Sequence, residues 1–259
     1  MTQEKPKKRS LVRAFMKAAA KVAFVIVAGC SVAYGGWFGG NYAGRGDRLT
    51  PGETQMVRQV FGSELNPSKL RKHFRAENDI THCVAPGAGG MVLPPFSHID
   101  FYGPKLWSQD YSRDSEYKFG FFMHEATHTW QGQNLDFSLR AFGVYSYALD
   151  AQSNWRDFGI EQQADIIEDY SKRWLYPRNA HMHHTRQDAL LARVVENRFP
   201  EARQSRLKLE GDKPVNIDAL IAAGPAAHGP GSSHPAANPQ PARERSSPYT
   251  FPFLTLCKG

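Results

Sequence analysis

The chain has 259 residues, enough for one domain with a core of its own plus appendages. Hydrophobic residues make up 41%, which excludes a largely disordered chain. The net charge of +7 is concentrated: residues 1–21 carry seven Lys/Arg and one Glu (+6), and the rest holds 25 basic and 24 acidic groups (+1), so the balance argues against a nucleic-acid-binding surface.

In chain order, the basic block 1–21 precedes an uncharged run, VAFVIVAGCSVAYGGWF, at 22–38. Basic residues before an apolar run predict a membrane-targeting segment with its basic end in the cytoplasm. Three fates are open. As a helix the run spans roughly 25 Å, to which snorkelling Lys17 and Lys21 add length, giving an uncleaved anchor. Ser31-Val32-Ala33 offers a signal-peptidase pattern. Val27-Ala28-Gly29-Cys30 resembles a lipoprotein box with Cys30 as the lipidated residue. The bland alternative, a buried helix, leaves seven basic residues beside a core. Cys83 and Cys257 are a candidate pair, with free thiols as the alternative.

The domain proper is expected over 47–212. Thr50, Pro51 and Glu53 predict a capped helix that Gly62 ends. Residues 63–90 read as loop. MVLPP (91–95) and HIDFYG (98–103) read as short strands, with Pro94 and Pro95 favouring an edge or a break between them. A helix capped by Asp114 or Ser115 runs to about 132, with Phe119, Phe122, Met123, Ala126 and Trp130 as its buried stripe. Two more helices follow, one from about 160 with Ile160, Ala164, Ile167 and Tyr170 on one side, the other over 186–199. Residues 213–259, rich in Pro, Ala, Gly and Ser, predict a largely flexible tail.

Within the second helix, FFMHEATHTWQGQ contains His124, Glu125 and His128 as H-E-x-x-H. Residues i and i+4 share a helix face, so both imidazoles can reach one zinc ion, with Glu125 beside the open position as general base. Composition alone would write such a pattern in about one chain in fifty of this kind, so the capped, amphipathic helix around it matters. Glu161, 33 residues after His128, is the leading third ligand. Asp165, one turn later, is placed to accept a hydrogen bond from a ligating imidazole. Glu168 and Asp169 read as solvated surface charges. Tyr145, Tyr147, Tyr170, His181, His183 and His184 are candidate donors to an oxyanion, with HMHH (181–184) equally readable as an exposed loop.

Taken together, RLTPGE, HIDFYGPKLW, FFMHEATHTWQ and FGIEQQADIIEDY resemble a bacterial family of HExxH metallopeptidase domains often called Vgr-related proteins. That family is similar to the metallopeptidase-like core domain found with extracellular contractile injection systems. The resemblance covers roughly 48–175. It implies an α+β, mainly helical, zincin-like domain of the gluzincin type with a small sheet. It also implies Zn2+ held by His124, His128 and Glu161, with Glu125 as base. In such folds an edge strand beside the site, a place HIDFYG fits, pairs with an extended peptide. The expectation is therefore a zinc metallopeptidase acting on a peptide or protein, in the bacterial cell envelope, anchored or exported and facing the periplasm. The alternative is a non-catalytic zinc-binding module of a secretion or injection system. An intact Glu125 favours hydrolysis, because a structural zinc needs no base.

Overall fold

The computed structural model describes residues 46–76, 89–93, 97–136, 144–179 and 183–223. The segment 22–38, Cys30, Cys83, Cys257, His181 and everything after 223 lie outside these residues. Among the described residues no helix is long and apolar enough to cross a membrane.

After a two-residue strand β1 (Asp47–Arg48), helix α1 (Pro51–Phe61) begins as its sequence predicts. Thr50 Oγ1 accepts the Glu53 amide at 3.1 Å and Glu53 Oε2 accepts the Thr50 amide at 2.8 Å. Gly62 closes the helix at φ +55, where its amide reaches Arg58 O at 3.1 Å and a Cβ would strike Glu201. Met56, Val57, Val60 and Phe61 are buried.

The loop expected over 63–90 contains a strand, β2 (Arg71–Arg75). RKHFR does not read as a strand because its buried residues, one on each face, are Lys72 and His73. Lys72 Nζ donates to Glu53 Oε1 at 2.6 Å, to Ser108 O at 3.1 Å and to Gln109 O at 2.5 Å. The same Glu53 oxygen accepts the Tyr111 amide at 3.0 Å. A buried ammonium persists only with such complete pairing. The capping carboxylate of α1 thus also anchors the sheet.

Strands β3 (Gly90–Leu93) and β4 (His98–Tyr102) complete a four-stranded sheet in the order β1-β2-β4-β3. β2 and β4 are parallel, with His73 opposite Asp100, and the β1–β2 and β3–β4 pairs are antiparallel. HIDFYG is therefore an interior strand, not the expected edge. Among the described residues β3 and the short β1 form the edges, and Ile99, Phe101 and Tyr102 of β4 are buried as a central strand requires.

Helix α2 (Glu116–Asn134) starts at the Ser115 cap and passes through Gly132, ending where Leu135 turns left-handed at φ 53. Helix α3 (Ile160–Tyr170) packs along α2 and continues into a π-helical turn, Ser171–Leu175. α4 (Arg186–Arg198), α5 (Pro200–Glu210) and α6 (Ile217–Ala222) follow. α6 lies inside the stretch expected as tail, and its Ile221 O accepts from Arg186 Nε at 3.1 Å. An aromatic cluster fixes the far end of α2: the Phe199 ring lies 5.0 Å from Trp130, 5.2 Å from Trp155 and 5.3 Å from Phe61. The described architecture is α+β, mostly helical with a small sheet.

Candidate metal centre

Helix α2 sets His124 and His128 one turn apart on the face that meets α3. Their Nε2 atoms are 3.2 Å apart. Glu161, in the first turn of α3, brings Oε2 to 3.6 Å from His124 Nε2 and 3.3 Å from His128 Nε2. Two imidazole nitrogens, each about 2.0–2.1 Å from a tetrahedral zinc, would stand roughly 3.3 Å apart, so the three atoms fit one small cation. His128 and Glu161 each leave 18% of the side chain open to solvent, which allows entry from one side.

The second ring nitrogens are held from behind. His128 Nδ1 lies 2.9 Å from Gln131 Oε1, an acceptor that fixes the ring with Nε2 facing Glu161. Gln131 Nε2 in turn donates to Ile160 O at 3.0 Å and to Gln163 Oε1 at 2.9 Å, tying the histidine to the start of α3. The sequence reading missed both glutamines. Their signal was present: Gln131 is three residues after His128, on the same helix face. His124 Nδ1 lies 3.1 Å from Asp165 Oδ1 and 3.3 Å from Glu168 Oε2. Glu168 is 3% exposed, which corrects its reading as a surface charge. Its place on α3, two turns after Glu161, turns it inward.

The charges are strongly coupled. Burial works against protonating His124, but Asp165, Glu161 and Glu168 outweigh it and hold its pKa well above the ordinary value. His128 is raised for the same reason, chiefly by Glu161. Burial works against ionising Glu161, yet the two imidazoles hold its pKa far below the usual carboxylate range. Glu125, 4% exposed, is raised, because burial outweighs the nearby imidazoles. Carboxylates that stabilise protonated histidines would stabilise a metal ion in the same place.

Edge strand β3 passes directly over Glu125. A Cβ on Gly90 would lie 2.5 Å from Glu125 Oε1, and one on Gly89 would lie 2.4 Å from Leu106 and 3.1 Å from Phe121. Phe121 stacks on His124 at 6.4 Å and Tyr117 on Phe121 at 6.2 Å, so an aromatic row leads from solvent to the ligand cluster.

Several expected oxyanion donors are otherwise engaged. Tyr147 OH donates to Asp169 Oδ2 at 2.7 Å. Tyr170 OH reaches Ala202 O at 3.0 Å and Glu196 Oε1 at 3.2 Å, away from the cluster. His184 stacks on Trp174 at 3.7 Å and His183 is exposed. Tyr145 is half-buried.

Fold and site together describe an α+β domain with a partly buried His/His/Glu cluster that fits a cation. No family model matches the chain. It is 32% identical over 167 residues to the type VI secretion system spike protein VgrG2b of Pseudomonas aeruginosa, covering 59% of this chain and 16% of that protein. The similarity is to a Vgr-type protein, and the chain spans only about a sixth of that relative's length. A solved structure, the effector domain of the same VgrG2b, is 27% identical and aligns with 68% of this chain and 98% of that domain at a TM-score of 0.47.

Proposed function

We propose that this chain is an effector-type module associated with type VI secretion machinery, and that it hydrolyses peptide bonds with a zinc ion held by His124, His128 and Glu161. The association rests on similarity to a spike protein. The chemistry rests on one observation: three ligand atoms lie within 3.6 Å of one another, beside a buried carboxylate that takes no part in holding them.

Zinc, when bound, supplies a Lewis acid that acidifies water and polarises a carbonyl. The remaining work falls to the chain. Glu125 accepts the proton of the attacking water and delivers it to the amine that leaves. Its burial raises its pKa, which suits a group that must both take and return a proton. β3, at the sheet's edge among the described residues, offers main-chain groups to an extended peptide crossing the site. Delivery by secretion machinery is consistent with a substrate in the bacterial envelope, on the periplasmic side, and the segment 22–38 offers a membrane route to the same compartment.

The test is Glu125→Gln. The variant should keep stoichiometric zinc and lose about 10²–10⁴-fold in hydrolysis of a peptide library. A second reading, a non-catalytic zinc-binding module, is favoured by the relative's name, which describes a spike component. It predicts a wild type inert towards peptides and a Glu125→Gln variant that behaves like it.

A further inference from the structure

The two packed helices present matched rows. α2 offers Gly120, His124 and His128, and α3 offers Glu161, Asp165 and Glu168. His124 Nδ1, Asp165 and Glu168 form a second group close enough to surround an ion. Its carboxylate oxygens lie 3.1 and 3.3 Å from the same ring nitrogen, and the line to neither meets the angular requirement of a hydrogen bond. One N–H cannot satisfy two carboxylates, and two buried anions side by side repel.

A cation already stands there. Lys172 Nζ contacts Glu168 Oε1, from the start of the π-helical turn that follows α3. The room for this pair is made by Gly120, one turn before His124. A Cβ there would lie 2.2 Å from Lys172 Cε and 3.0 Å from Glu168 Cγ. The absence of a side chain on α2, the lysine on α3's extension and the inward glutamate are parts of one arrangement.

We propose that Lys172 is the built-in cation of this second cluster, holding Glu168 against His124 so that Glu168 joins Asp165 as a positioning residue for the imidazole, in place of a second metal ion. The inference rests on reading His124, His128 and Glu161 as a metal centre. A carboxylate behind a ligating imidazole fixes its tautomer and orientation and strengthens it as a donor. Two carboxylates from successive turns of α3 hold the ring from two directions, and the ammonium keeps the second from being expelled.

Metal binding by the full chain tests this, with Zn2+ affinity read by competition against a chromophoric chelator and the site geometry read by the visible spectrum of the Co2+ form. Wild type should bind one equivalent of zinc. Glu168→Gln should weaken binding about 10–100-fold and shift the Co2+ bands, while the neighbouring Asp169→Asn should do neither. If Glu168→Gln does not fold, Gly120→Ala displaces the pair without removing a charge and should weaken zinc in the same direction. Unchanged affinity and Co2+ spectrum in the variant that folds would overturn the proposal, as would a second equivalent of zinc in wild type that Glu168→Gln abolishes. A wild type that binds no metal would instead sink the metal-centre reading on which the proposal stands.

Discussion

The rings of His124 and His128 lie 4.9 Å apart between centroids, and those of His73 and His98, on adjacent strands β2 and β4, lie 5.1 Å apart. Their surroundings are opposite. Asp165, Glu161 and Glu168 raise His124, and Glu161 chiefly raises His128, in each case against burial. Burial, with Arg71 and Arg75 close by, lowers both imidazoles of the sheet pair, His73 to about 4. The acid nearest in register, Asp100, is paired with Arg75 at 3.1 Å. Two adjacent imidazoles therefore do not define a cation site. The sign of the charge packed around them does, and only the helical pair has carboxylates in excess.

Removing the carboxylate that makes the difference should have the largest effect. Glu161→Ala should weaken zinc on the order of a thousandfold by calorimetric titration, while His98→Ala leaves it unchanged. Equal losses in the two variants would erase the distinction between the pairs.

Next in size is an acid-dependent loss of stability from the sheet pair. The folded-state pKa of His73 lies below its unfolded value near 6.5. Its contribution is therefore complete above about pH 6.5 and is lost as pH falls towards 4, because the unfolded chain takes the proton first. Discounted for solvent screening, the loss is on the order of 1–2 kcal/mol. Denaturant titrations at pH 7 and pH 4.5 should show it, and His73→Gln should lose less over the same interval. The metal-free helical pair has the opposite sign: its contribution is present below about pH 6.5 and is lost as pH rises through the raised folded values.

Smallest is the effect of crowding the base without touching a ligand. Gly90→Ala pushes on the Glu125 carboxylate and should lower hydrolysis by up to about a hundredfold, with zinc affinity unchanged. Loss of zinc in this variant would mean that β3 supports the ligands rather than the base.

Sequence legibility followed how local the determinant is. The start of α1 was readable because its signal, Thr50 with Glu53, is complete within four residues. The pair His124/His128 was readable from helical spacing, and Glu161 with Asp165 because two acids one turn apart need a cation near them. β2 was not readable, since its alternation is hidden by a buried lysine whose partner, Glu53, is 19 residues away. Glu168 was misread for a similar reason. In IIEDY it looks like half of a solvated acidic pair, and only the packing of α3 on Gly120 turns it inward. The edge position of HIDFYG was an implication of the resemblance, and the sequence hides the strand that covers it, β2, because that strand's buried residues are charged.

Zinc K-edge X-ray absorption on the purified chain tests the centre most directly. The account predicts one ion with two imidazole nitrogens at about 2.0–2.1 Å and oxygen donors completing the shell, one oxygen being lost in Glu161→Ala. A shell containing sulfur, a single imidazole, or an ion unaffected by Glu161→Ala would contradict it.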